Sequence, residues 1–219
     1  MIRKVLPVFA VAIAVALSTS LSARAALAQG APPATGRAAY GLIAGINFAN
    51  VGGADAQDSR TRTGLVAGAY AAWPMANGFS FQPSLLYSME GAKTSGDVDL
   101  AVKMNYIRLP AMLRYTWPVA GTTRPFVALG PSFGYQLTCS VSGSNNGVSA
   151  SASCDAFTAP EPSQRKKFDV SGRVEAGLDF AMSGRTFTIG GAYSYGFTDV
   201  VKEGSVKNRV FSVLLGVGL

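Results

Sequence analysis

Seven charged side chains occupy positions where ion pairing or acid–base chemistry could take place inside a β-protein. They are Glu90, Arg108, Arg114, Asp169, Arg173, Glu175 and Asp179. Each lies in a segment where apolar and polar residues alternate, so the charges share the strand face opposite the apolar one. Since Arg173 shares its face with three of the carboxylates, ion pairing is favoured over a general acid and base. We predict an internal salt-bridge network, because buried charges must pair or contact water.

The composition argues against catalysis and metal binding. The chain contains no histidine, so serines such as Ser171 and Ser194 lack the base that most often activates a nucleophile. We therefore predict that the protein is not an enzyme and uses no cofactor or metal. The net charge is +7, but no cluster of basic and aromatic residues occurs, so nucleic acid is not an expected partner.

The two cysteines, Cys139 and Cys154, lie in one segment rich in Ser, Gly and Asn. In an oxidising compartment the expected state is a disulfide within a long loop. A reactive thiol pair or a metal site is the weaker alternative, given the absence of histidine. A bridge would stabilise the loop by reducing the entropy of the unfolded chain.

Residues 1–28 have the features of a secretory signal peptide. Arg3 and Lys4 precede the apolar run 5–17, and Ala26-Leu27-Ala28 supplies small residues before a predicted cleavage site. A single membrane helix is the alternative, but the serines and threonine of 18–22 interrupt the apolar run. We predict a signal peptide at 1–28 followed by one domain at 29–219.

Segments of about ten residues with alternating apolar and polar side chains recur after the export signal. They run over 40–48, 63–73, 79–90, 104–117, 125–138, 168–180, 186–197 and 209–219. Eight is an even number, as single-chain bacterial barrels require. The pattern predicts an all-β fold, an eight-stranded antiparallel up-and-down transmembrane β-barrel whose charge network links the fourth strand to the sixth. Pro110 has no ladder donor and predicts a bulge or a local break.

The connections between these segments alternate between short and long. The short ones are 74–78, 118–124 and 182–185, and the longer ones are 49–62, 91–103, 139–167 and 198–208. Short periplasmic turns and longer external loops are typical of outer-membrane barrels, whereas a soluble β-sandwich, the main alternative, does not require this alternation. We therefore predict export to the bacterial outer membrane, with both chain ends on the periplasmic side.

Aromatic residues cluster at the ends of the predicted strands, on the apolar face. One set flanks the short turns: Trp73, Phe79, Tyr115, Trp117, Phe180 and Phe187. A second set lies near the opposite ends: Phe48, Tyr87, Tyr135, Phe168, Tyr195 and Phe197. Two aromatic girdles at the membrane boundaries explain this placement, while aromatics that fill a soluble core have no reason to collect at strand ends.

Several motifs together resemble the PorT-type outer-membrane β-barrel family, often called porin family proteins, among the small OmpA/OmpX-like barrels. The matching runs are Gly41–Ala49, Phe79–Ser88 with Gly91–Lys93, Asn105–Pro110, Pro125–Pro131, Tyr193–Thr198 and Lys207–Ser212, in family order across residues 40–219. The resemblance implies a small outer-membrane barrel and no particular activity. Many such proteins end in an aromatic residue that the insertion machinery reads. This chain ends in Leu219 but keeps Phe211 on the expected face.

The expected function is a structural or surface-interaction role of a monomeric barrel. An interior of eight strands is just wide enough for side chains to fill, so we expect charged side chains to plug the lumen; a narrow, low-conductance path for ions or small solutes is the alternative. Expected partners are membrane lipid and lipopolysaccharide, the barrel insertion machinery and an external ligand at the loops. The basic run Arg165-Lys166-Lys167 fits either a solvated position or a contact with lipopolysaccharide phosphate.

Overall fold

The computed structural model describes residues 38–52, 59–94, 99–145, 148–154, 167–199 and 207–219. Within these residues the chain forms nine strands: β1 (Ala39–Gly52), β2 (Ser59–Pro74), β3 (Phe79–Thr94), β4 (Asp99–Thr116), β5 (Thr123–Asn145), β6 (Val148–Ser153), β7 (Phe168–Met182), β8 (Arg185–Asp199) and β9 (Lys207–Gly218). One 3₁₀ turn, Ala76–Gly78, joins β2 to β3. No helix in the described part of the chain is long and apolar enough to cross a membrane. The predicted signal peptide lies outside the described residues.

Eight of these strands close into an antiparallel barrel. β1 to β5 pair in sequence order, the ring continues from β5 to β7, and from there it runs through β8 to β9. It closes where β1 pairs with β9, from Gly41 opposite Gly218 to Gly52 opposite Lys207. The predicted fold class, an eight-stranded antiparallel barrel, is confirmed. The ninth strand, β6, pairs along the outer part of β5, at Ser140–Asn145.

The barrel is apolar outside and polar inside. Outward-facing Leu65, Leu129 and Leu215 are 59%, 61% and 59% exposed, although large aliphatic side chains are normally buried in soluble proteins. Inward positions are buried and mostly polar, with a small apolar cluster beside them at Val66, Leu86, Ala192 and Leu214. An exposed apolar band around a polar interior is suited to lipid, and it excludes the soluble sandwich.

The turns at one end of the barrel are short because residues with positive φ close them. Ser183 (φ 51°) and Gly184 (φ 76°) form the two-residue connection between β7 and β8. Two successive positive φ values match the twist of the flanking strands in a tight hairpin. Bacterial barrels place such turns in the periplasm.

Aromatic pairs lie where the sequence predicts the two girdles. Beside the short turns, the ring centroids of Phe79 and Tyr115 are 4.9 Å apart and those of Tyr115 and Trp117 are 5.0 Å apart. Towards the opposite ends, the centroids of Tyr195 and Phe197 are 6.2 Å apart. Both groups are on the outer surface, where amphipathic rings stabilise the barrel at the membrane boundaries.

Most strands extend further than predicted at the end opposite the short turns. Segments of about ten residues suffice to cross the membrane, yet the eight barrel strands have 12 to 23 residues. The predicted loop 139–167 was wrong in part, because it contains the end of β5 and all of β6. At the end with the short turns, the predicted strands 104–117 and 209–219 were each one residue too long, because Trp117 and Leu219 lie just beyond β4 and β9.

Pro110 coincides with a local break in the ladder and not with a bulge. On the β3 side the pairs pass from Pro83 opposite Ala111 to Leu86 opposite Arg108, which leaves Pro110 out of that ladder. The register shift in the pairing with β5 lies earlier, between Asn105 and Tyr106. Of the predicted basic run, Lys167 is exposed directly before β7, and the other two residues lie outside the described ranges.

Candidate functional site

Arg108 on β4 forms the centre of the charged lumen. Its Nε and Nη2 atoms donate to Glu90 Oε1 (2.5 Å) and Oε2 (2.6 Å) on β3, in a bidentate pair. On its other side Nη1 lies 2.7 Å from Asp169 Oδ2 on β7. This second contact is an ion pair without hydrogen-bond alignment, since neither atom has a hydrogen-bond partner. All three side chains are at most 5% exposed, so the pairing is essential to their burial.

Gly134 makes the contact between β4 and β7 possible. It lies on β5, opposite Arg108 on one side and Asp169 on the other. A Cβ atom at this position would come within 2.8 Å of Arg108 Nη1. The missing side chain therefore leaves the space through which the guanidinium crosses β5. Thr198 on β8 completes the group by donating to Asp169 Oδ1 at 2.8 Å.

A chain of neutral side chains extends this layer around the lumen. Ser212 Oγ on β9 donates to Asn47 Oδ1 at 2.7 Å, and Asn47 Nδ2 on β1 donates to Ser88 Oγ at 2.9 Å. Ser88 Oγ then donates to Glu90 Oε1 at 2.8 Å. Hydrogen-bonded and ionic contacts thus run from β9 through β1, β3 and β4 to β7 and β8, and they satisfy buried polar groups that no bulk water reaches.

Arg114 forms a second charged layer nearer the short turns. Its Nη2 contacts Asp179 Oδ2 at 2.5 Å, and its Nη1 donates to Gln82 Oε1 at 3.1 Å. Its Cζ lies 3.6 Å from the centroid of the Phe126 ring, a cation–π contact. Thr188 Oγ1 donates to the other carboxylate oxygen of Asp179 at 2.7 Å. This layer also joins β4 to β7 inside the lumen, past β5.

The remaining pair of the predicted set stays within one strand. Arg173 Nε donates to Glu175 Oε1 at 2.7 Å, and both residues belong to β7. Arg173 Nη1 also donates to Ser194 Oγ on β8 at 3.2 Å. The seven predicted residues therefore all lie inside the barrel and form two links from β4 to β7 plus a separate pair on β7.

The free space beside Arg114 is small. A cavity of about 10 Å³ lies beside Arg114, which is room for about one water molecule. Its polar lining comes from Tyr70, Gln82, Arg114, Glu175 and Thr188. Each described carboxylate of the lumen is held by a guanidinium, so the arrangement offers fixed, paired charges.

The lumen layers also contain neutral residues that are not among the seven predicted from the sequence. They are Asn47, Gln82, Ser88, Phe126, Gly134, Thr188, Ser194, Thr198 and Ser212. Most occupy inward positions of the alternating pattern, and that position was the available signal. Thr198 had no such signal, because the sequence predicts a loop where β8 continues.

A second feature, a disulfide-linked hairpin, projects from the barrel end opposite the short turns. The bond joins Cys139 on β5 to Cys154 directly after β6, with Cα atoms 5.4 Å apart. The predicted disulfide is confirmed. Between the cysteines, paired residues from Ser140 opposite Ser153 to Asn145 opposite Val148 make a regular ladder. The bridge thus closes the base of a hairpin and not an irregular loop.

Solved structures of several small outer-membrane proteins are similar to this chain. Neisserial surface protein A is 14% identical, with 84% of this chain and 99% of that chain covered and a TM-score of 0.49. OprG from Pseudomonas aeruginosa is 13% identical, with 84% and 98% covered and a TM-score of 0.46. Ail, the attachment invasion locus protein of Yersinia pestis, is 16% identical, with 83% and 98% covered and a TM-score of 0.43. Curated protein sequences give no match.

Membership of a family follows from a match of another kind. The sequence model described as "Outer membrane protein beta-barrel domain" matches residues 27–202, which is most of the chain. The closed barrel, the apolar exterior and the aromatic girdles agree with that match, and the predicted outer-membrane location is confirmed. The chain is therefore a member of the outer membrane protein beta-barrel domain family.

Proposed function

We propose that this protein is a sealed, non-conducting scaffold that presents its extracellular strands and loops for surface interaction. The observation that carries the proposal is the bridge from Glu90 through Arg108 to Asp169, which ties β3 and β4 to β7 inside the lumen. A buried arginine with carboxylates on both sides resists displacement, since each partner would be left as an unpaired buried charge. The small volume beside Arg114 supports the same reading.

The proposed interaction surface is the hairpin of β5 and β6. It extends beyond the paired part of β7, and its disulfide holds Cys139 against Cys154. Loops and hairpins on a rigid scaffold commonly carry recognition, so an external ligand or cell surface would meet this region first. We propose no catalytic role, because the described lumen carboxylates are ion-paired and the chain has no histidine.

Single-channel recording tests the sealed lumen directly. Mature protein would be refolded in detergent and inserted into a planar bilayer, and its folded state would be verified by the altered gel mobility of the unheated sample. We expect no discrete current steps from folded protein. Reproducible steps that change ion selectivity in an Arg108→Ala variant would overturn the proposal and favour the narrow, low-conductance porin.

Two further proposals concern processing and classification. We propose that cleavage after Ala28 releases residues 29–219, which a mass measurement of the protein from isolated outer membranes would test.

We also propose that the chain belongs to the PorT-type group within the broader family, on the strength of its ordered motifs from Gly41–Ala49 to Lys207–Ser212. Insertion by the barrel machinery is part of the same proposal, and depletion of that machinery should leave the protein unfolded in the periplasm.

A further inference from the structure

Three exposed cations lie on the outer surface of neighbouring strands, at the end opposite the short turns. They are Arg60 on β2, Lys93 on β3 and Lys103 on β4, and we refer to them as the basic rim. Arg60 is directly opposite Lys93 in the pairing of β2 with β3. Lys103 is opposite Gly91, two residues from Lys93, so it is a diagonal neighbour on the same face.

A bulge in β2 turns Arg60 towards the outside. Val66 opposite Ser88 and Thr61 opposite Ala92 differ by one residue in register, so β2 carries one extra residue between them. Val66 is buried in the lumen, and without the bulge the even-numbered Arg60 would share that inward face. Bulges commonly re-aim a side chain in this way. The basic rim thus depends on a specific irregularity of the fold.

The basic rim is electrostatically unfavourable by itself. Like charges directly opposite each other on neighbouring strands destabilise a sheet, and Arg60 faces Lys93 in that arrangement. The carboxylates with described side chains, Glu90, Asp169, Glu175 and Asp179, all lie in the lumen, where arginines pair with them. No described side chain on the outer face neutralises the basic rim, so the rim is suited to an external anion.

The position of the basic rim identifies the anion. Arg60 lies five residues beyond the outward-facing Leu65 on β2, and Lys103 lies four residues beyond Ile107 on β4, on the loop side of the apolar band, where an outer-membrane barrel meets the charged headgroup region. Arginine and lysine there attract phosphate, and the fork of a guanidinium binds it with two donors. We propose that the basic rim binds the phosphate groups of lipopolysaccharide in the outer leaflet, on the β2–β4 side of the barrel.

The opposite wall of the barrel differs in this respect. At the corresponding end, β5 presents Leu137 and β8 presents Phe197 on the outer face, and both are exposed apolar side chains. That side also carries exposed cations, Lys167 before β7 and Arg209 on β9, but no described set of three adjoining ones, so the phosphate contact is expected first on the β2–β4 side. This property is independent of whether the lumen conducts.

The test compares binding of diphosphoryl lipid A with binding of chemically dephosphorylated lipid A, by native mass spectrometry of refolded protein in zwitterionic detergent. Removing each cation should weaken binding roughly fivefold, so the double variant Lys93→Gln, Lys103→Gln should bind diphosphoryl lipid A at least tenfold more weakly. The matched control is Arg124→Gln, Arg185→Gln, two exposed arginines at the periplasmic end, which should bind like the unmodified protein. Equal affinity of the two double variants, or equal affinity of the unmodified protein for both lipids, would overturn the proposal. Full competition by inorganic pyrophosphate would also overturn it, because the site would then be one for free phosphate.

The single substitution Arg60→Gln provides a second test, because it should shift the urea midpoint of unfolding in opposite directions in two environments. In zwitterionic detergent it should raise the urea midpoint, because it removes the like-charge contact with Lys93. With diphosphoryl lipid A present, it should lower the midpoint relative to the unmodified protein, because one phosphate contact is lost. If the urea midpoint shifts in the same direction in both environments, the proposed role of the phosphate is contradicted, however large or small the shift is.

Discussion

Replacing Arg108 by methionine should destabilise the barrel severely, because it removes one charge from a buried triad. Arg108 holds Glu90 through two hydrogen bonds and Asp169 through one ion pair. Methionine replaces the aliphatic part of the arginine side chain and ends near the position of Nε, so the change removes the guanidinium, with its charge and hydrogen bonds, and keeps the apolar stem. Two carboxylates then remain inside the lumen without a cation between them.

The burial of the two carboxylates sets the size of the effect. The side chains of Glu90 and Asp169 are 1% and 5% exposed, so water cannot replace the guanidinium. Breaking a buried ion pair by removing one partner costs about 3–5 kcal/mol. We expect Arg108→Met to lower the free energy of unfolding by about that amount, towards the upper end because two acidic partners are left.

Urea titration of protein refolded into phospholipid vesicles would measure this loss. Trp73 and Trp117 lie at the girdle beside the short turns, so their fluorescence reports the departure of the barrel from lipid. Arg185→Met is the control, since Arg185 is exposed at the start of β8 and should shift stability by less than about 0.5 kcal/mol. An Arg108→Met midpoint within the error of this control would refute the reasoning.

A charge-balanced variant separates lost charge pairing from lost packing. Arg108→Met combined with Glu90→Gln and Asp169→Asn leaves no unpaired charge, and the replacement of a whole buried ion cluster is often close to neutral. The triple variant should therefore be more stable than the single variant by roughly 2 kcal/mol or more. If the triple variant unfolds as early as the single one, packing and not charge explains the instability.

Other consequences of the fold are open to direct measurement. An epitope tag inserted between Gly143 and Asn146, at the tip of the hairpin, should leave the barrel folded and bind antibody on intact cells; a tag detected only after lysis would place this end in the periplasm. Serine at both Cys139 and Cys154 should make the hairpin sensitive to external protease while the barrel stays resistant, since the entropic stabilisation of about 3 kcal/mol from such a short loop is local; loss of the barrel itself would contradict this. Leu215→Arg, on the lipid face, should cost about 2–4 kcal/mol in vesicle unfolding if it lies near the membrane centre; an unchanged midpoint would show that β9 does not face lipid there.

The alternating pattern made the barrel predictable, but only where one face meets lipid. In the membrane, outward positions must be apolar and inward ones are polar or small, so residues 63–73 and 209–219 indicated their strands clearly. Beyond the membrane both faces contact water and that selection ends. β6, Val148–Ser153, alternates serine with valine or alanine, and its composition resembles a loop. Hydrogen bonding to β5 and a disulfide determine its structure.

The sequence predicts which charged residues face the lumen, but it does not predict which of them form ion pairs with one another. Glu90, Arg108 and Asp169 could be identified because side chains alternate between the two faces of a strand, which shows which residues point inward. Which carboxylate each arginine reaches depends on how far neighbouring strands are offset and on the space between them. Gly134 illustrates this dependence, because Arg108 reaches Asp169 past β5 only where a side chain is missing. That contact can be predicted only when the register of β4, β5 and β7 is known.

The closing ladder between β1 and β9 has a consequence for how the chain reaches its folded state. It pairs Gly41 with Gly218, at opposite ends of the barrel sequence. Until β9 arrives, both β1 and β8 present a full row of unpaired backbone groups, each costing several kcal/mol in hydrocarbon. A partly translated barrel therefore has no stable place in the bilayer, and such non-local pairing is also slow to form. Synthesis must finish before insertion begins, and whatever accepts the chain has to cover two strand edges until they meet.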